Sequence, residues 1–96
     1  MAKFLFLTYG FEKPTPEIME KWSAWFASIK ENIVEQAHLP RGREISDDGV
    51  KDLTLGPDAL TGYMIIEAES FEAADKMAQT NPYVKSVQFY ETMSRS

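Results

Sequence analysis

The side chains of this 96-residue chain that could move a proton or hold a polar ligand group within apolar surroundings are few. They are the tyrosines Tyr9, Tyr63, Tyr83 and Tyr90, Glu67, and His38, the one histidine. Any catalysis would run on phenols, a carboxylate and one imidazole held in a preorganised cavity, because the usual reactive sets are missing. There is no cysteine, hence no thiolate nucleophile, no disulfide and no thiolate-bound metal. No glycine-rich phosphate loop, Ser-His-Asp set or zinc spacing occurs. Asp47, Asp48, Asp52 and Asp58 put four carboxylates in one stretch, but their spacing is not that of an EF-hand loop, so they read as solvated turn residues. Neither a metal nor a cofactor is expected. His38 reads as a surface residue just past a helix, where a cation is favoured by the helix dipole.

Ten Lys plus Arg against fifteen Asp plus Glu give a net charge of -5, which repels a phosphate backbone and argues against nucleic-acid binding. The length predicts one domain over 1–96, small enough to gain much from association. The N-terminal MAKFLFLTYG is too short an apolar run to cross a membrane and lacks a cleavage pattern, so a cytoplasmic protein without a membrane span is expected.

These candidates need elements to position them. KFLFLTY (3–9) is aromatic and aliphatic and reads as a strand with both faces apolar: Phe4 and Phe6 on one, Leu5, Leu7 and Tyr9 on the other. Thr15-Pro16-Glu17 is a helix start, and Ile18, Trp22, Trp25, Phe26, Ile29 and Ile33 form an apolar stripe that predicts a helix ending near Gln36 or Ala37. Its tryptophans read as core, and Glu35 falls on its solvated side. Residues 40–61 are turn-rich, with short extended pieces at 43–45 and 50–53 joined by a tight type I′ turn at Asp48-Gly49. GYMIIEA (62–68) is a second doubly apolar strand, with Glu67 on the face of Tyr63 and Ile65; a covered face would partly desolvate its carboxylate. Ser70 caps a second helix that Asn81-Pro82 ends, Asn81 reading as a left-handed cap. Val84 to Met93 alternates as a last strand, with Val87, Phe89 and Met93 on one side and Ser86, Gln88 and Tyr90 on the other.

The order β, α, weak β, β, α, β predicts an α+β, ferredoxin-like βαββαβ antiparallel sheet with two helices on one face. Helices cover one apolar face only. The other predicts a two-fold homodimer with sheets packed face to face, a dimeric α/β-barrel-like assembly.

The segments KFLFLTYG, MEKWSAWF, GREISDDGVKD, TGYMIIEAESFEAADKMA and NPYVKSVQFYE together resemble the YCII-related (YciI-like, DGPF-domain) proteins over nearly the whole chain. The resemblance implies dimers of ferredoxin-like subunits. It also implies a candidate His and Asp pair, the His in the first helix and the Asp in an Asp-Pro-Tyr segment; the matching positions here hold Trp22 and Asn81. It places Tyr83 where the family keeps a tyrosine.

The leading functional reading is a small homodimer that binds a small, partly apolar molecule near the dimer interface, with Tyr9, Tyr63, Glu67, Tyr83, Tyr90 and His38 as candidate site residues. One alternative is a cofactor-independent isomerase, lyase or oxygenase acting on an aromatic or lactone-like compound. Another is a protein-interaction or regulatory partner working through the acidic stretch at 47–58.

Overall fold

In the computed structural model, which describes residues 1–93, the two doubly apolar segments are the central strands of a four-stranded sheet. β1 (Ala2–Tyr9) and β5 (Leu60–Ala68) pair antiparallel, flanked by β2 (Ile33–His38) and β6 (Ser86–Glu91) in the order β2-β5-β1-β6. Helices α1 (Pro16–Ser28) and α2 (Phe71–Gln79) follow β1 and β5, while β3 (Arg41–Ser46) and β4 (Gly49–Thr54) make a separate two-stranded hairpin. Without the hairpin the chain is βαββαβ in the ferredoxin-like strand order, as the element pattern predicts.

The helix starts are as the sequence requires. Thr15 Oγ1 accepts from the Ile18 N–H at 3.2 Å with Pro16 in the first turn, and Ser70 Oγ accepts from the Ala73 N–H at 3.1 Å. Both helices pack on the sheet face carrying Phe4, Phe6, Met64 and Ile66; with Trp25, Ile29, Ala68, Ala74 and Ala78 these make the buried core. Phe89 closes it from β6, with ring centroids 5.5 Å from Phe6 and 4.9 Å from Phe71. The Trp25 indole N–H is shared between Met77 O at 3.0 Å and Thr80 Oγ1 at 3.2 Å, which ties α1 to the end of α2.

Five local expectations are corrected. The first helix stops at Ser28, passes through a 3₁₀ turn at Lys30–Asn32, and Ile33–His38 is strand, not the last helical turns. β-branched Ile33 and Val34 favour an extended backbone, and the strand pairs the edge that β5 would otherwise present to water. Asn32 Nδ2 donates to Glu67 O at 2.8 Å and pins this change of direction to the sheet. The weak strand around residues 43–53 is therefore not the second strand of the sheet but the hairpin inserted after it.

The hairpin turn is not type I′. Asp47 and Asp48 keep negative φ, and only Gly49 is positive, at 118°, where the missing Cβ makes that conformation cheap. The last strand runs from Ser86 to Glu91, not from Val84 to Met93, and Met93 beyond its end is 94% exposed and not part of the Val87 and Phe89 side. Finally, Asn81 is no left-handed cap: the helix ends on Thr80 at φ -93°, ψ -2°, and no residue other than glycine has positive φ among those described.

Candidate functional site

The face of the sheet opposite the helices is built by strand alternation alone. Antiparallel register places Glu35, Ile65, Leu5 and Tyr90 in one row across the four strands, and Ala37, Tyr63, Leu7 and Gln88 in the next. Lys3 and Glu67 face each other beyond the first row; Tyr9 and Ser86 share a position at the other end. Leu5, Leu7, Tyr9, Tyr63, Ile65 and Glu67 are half-buried by their neighbours, and no helix covers them.

The polar centre of this face is a pair. Tyr63 donates its hydroxyl proton to Glu35 Oε2 at 2.5 Å, reaching diagonally from β5 to β2. The bond raises the Tyr63 pKa above the ordinary phenol value, because losing the proton would end the bond and set two anions side by side; some loss of hydration adds to this. The phenol is thus held protonated as a donor beside a carboxylate acceptor, an arrangement able to bind a ligand hydroxyl or carbonyl or to exchange a proton with one.

The structure brings Tyr9, Tyr63, Glu67 and Tyr90 to this face and places the other two candidates elsewhere. Tyr83 is 48% exposed on the helix side, in an open depression of about 330 Å³ with Asp75, Ala78, Gln79, Val87 and Phe89. His38 is not past a helix: it ends edge strand β2 opposite Gly62, exposed, on the Gln36 and Met64 side of the pleat. The four aspartates are dispersed. Asp52 pairs with Arg43 at 2.8 Å and Asp58 with Lys85 at 2.6 Å, while Asp47 and Asp48 occupy the hairpin turn. Among the described residues no group of three or more His, Asp or Glu side chains is arranged for a metal. No helix of the described residues is long and apolar enough to cross a membrane.

The sequence reading placed Glu35 on a solvated helix side and gave Asn81 only a capping role. Glu35 was hidden because Ile33 continued the helical stripe of Ile29; the adjacent β-branched Ile33-Val34, together with the need for a strand soon after the first helix, is the signal that finds it. Asn81 is 4% exposed, and both its Nδ2 and Oδ1 lack a hydrogen-bond partner. Such a doubly orphaned amide is uncommon in a folded protein, and sequence periodicity does not report it. Trp22, at the other position the resemblance singles out, packs edge-on against Trp25 with ring centroids 5.9 Å apart, and so serves the aromatic layer of α1.

No protein-family model matches this chain, and no curated protein does. Solved structures do. The chain is similar to the 5-chloro-2-hydroxyhydroquinone dehydrochlorinase of Burkholderia phenoliruptrix AC1100, determined in complex with 2,5-dihydroxybenzoquinone, at a TM-score of 0.56 and 14% identity. The match covers 95% of this chain and 93% of that one. At this identity the likeness is one of fold: the two chains share an architecture from end to end.

Proposed function

We propose that this chain is a cytoplasmic, single-domain homodimer of YCII-like type that binds a small, partly apolar ring compound between two stacked sheets. The single observation that carries the reading is the uncovered sheet face, where Leu5, Leu7 and Ile65 surround the hydrogen-bonded Tyr63 and Glu35. Leaving that face in water is costly, and a two-fold partner presenting the same face removes it from solvent. Tyr9, Tyr90 and Glu67 ring the apolar centre and supply polar contacts at its edge; Tyr63 and Glu35 orient an oxygen substituent. The end-to-end fold likeness to a protein solved with a dihydroxybenzoquinone bound makes such a ring a sensible first probe.

The test joins two measurements. Sedimentation equilibrium is expected to give a dimer, and calorimetric titration with 2,5-dihydroxybenzoquinone and with hydroquinone is expected to show binding that falls about tenfold in Tyr63→Phe, the worth of one hydrogen bond. A monomer that binds neither compound overturns the reading.

A second reading, a cofactor-independent isomerase, lyase or oxygenase, is favoured by the same pair. Glu35 can accept a proton from a bound substrate while Tyr63, its pKa raised, donates to the oxygen on which charge develops. Turnover of a ring substrate that is lost in Glu35→Gln yet accompanied by unchanged binding would establish it; binding without turnover leaves the first reading.

A further inference from the structure

The β3–β4 hairpin, residues 41–54, is exposed at every position. At its tip Ile45 and Val50 face each other across the ladder, 79% and 65% exposed. Strand alternation puts Arg41 and Arg43 on the same face of the hairpin as this pair, and the Arg43 to Asp52 ion pair at 2.8 Å braces the two strands along it. A two-stranded ribbon is marginal by itself, and an uncovered β-branched pair at its end costs more than it contributes unless another surface receives it.

We propose that this hairpin is an exchange arm: on a second copy of the chain, Ile45 and Val50 seat in the depression between α2 and β6 where Tyr83, Val87 and Phe89 lie. The inference rests on the homodimer proposed above and adds the element that completes it. Three arguments favour a second copy as the occupant.

The first is area. Four strands of six to nine residues present roughly 450 Å² per copy, so stacked sheets bury about 900 Å², below the roughly 1,200–2,000 Å² of stable interfaces. Two arms, each about 20 Å long and two strands wide, add roughly 800 Å² and bring the total into that range. The second is symmetry. With a two-fold axis parallel to the strands, the β2 edge of one copy lies over the β6 edge of the other, and the arm follows directly on β2 in the chain, within reach of the partner's β6 edge. The third is charge. Arg41 has no carboxylate within ion-pair distance among the described residues, and Asp75 lines the depression. At about 330 Å³ and open to solvent, the depression suits two small aliphatic side chains, and Tyr83 at its wall is covered by them.

The chain has no native cysteine, so single cysteines report contacts without background. Val50→Cys and Gln79→Cys, both at exposed positions, are purified separately, mixed and oxidised. The expected result is a covalent dimer of one chain of each kind, formed by the mixture and by neither variant alone. Sedimentation of the unmodified protein and of an Ile45→Ser/Val50→Ser variant is measured beside it, the variant expected to dissociate at least tenfold more readily with unchanged circular dichroism. A dimer that gives no mixed cross-link, or whose Val50→Cys chains join only to each other, overturns the arm and leaves the stacked sheets standing. A monomeric protein overturns both.

Discussion

The phenol of Tyr63 on β5 donates a 2.5 Å hydrogen bond to Glu35 on β2, across a face of the sheet that no helix covers. The two residues are 28 positions apart and are brought together by a strand that begins five residues after α1 ends. Two expectations follow from this face of the sheet, and two more from buried positions elsewhere in the fold.

Glu35→Gln lowers the Tyr63 pKa toward its ordinary value of 10.0, since the anionic acceptor is its largest cause of elevation. Phenolate absorbance sums four tyrosines, so the difference between the titrations of the two proteins reads it. The stability linkage has the sign of a raised pKa: the contribution is complete below pH about 10 and is lost as pH rises through the folded-state value. Glu35→Gln therefore flattens the alkaline loss of stability, and an unchanged phenol titration would mean that the pair does not persist in solution.

Ile65→Asp places a charge at the middle of the uncovered face, where its own monomer tolerates it at a half-buried position. In a stacked dimer the carboxylate would be desolvated without a partner, costing at least about 3 kcal/mol, or roughly a hundredfold in the dimer dissociation constant. Sedimentation equilibrium with retained circular dichroism is the expected outcome pair.

Asn81→Leu removes two buried polar atoms that have no partner and keeps a similar side-chain size. The expected change in urea denaturation is a stabilisation of about 1–2 kcal/mol, because no hydrogen bond is given up for the desolvation that is relieved. Destabilisation by a similar amount would show that the amide has a partner in solution.

Gly10→Ala destabilises. Gly10 has φ +97°, and a Cβ there would stand 2.9 Å from the Lys85 backbone nitrogen, which donates to Tyr9 O at 3.1 Å. The combined strain of conformation and close approach is expected to cost about 1–3 kcal/mol in a denaturant titration and to loosen the junction of β1 and β6.

The sequence by itself determined the order of most elements, both helix caps, and the identity of the core strands. Those features rest on local chemistry: Thr15 and Ser70 cap wherever a helix follows them, and strands such as KFLFLTY and GYMIIEA, apolar on alternate residues of both faces, have to lie at the centre of a sheet. The apolar face left over was equally legible, as a count of strand faces against helices. Only the tertiary structure decided what that face holds at its centre. Ile33 fits a helical stripe and a strand equally well, and what selects the strand is the unpaired edge of β5, a partner distant in sequence. Once that strand forms, Glu35 leaves the supposed solvent side of a helix and meets Tyr63, while Tyr83 and His38 fall outside the group that residue type alone had assembled. Burial of Asn81 without a partner belongs to the same class. It depends on how α2 and the loop after it pack together, and no spacing along the chain records that.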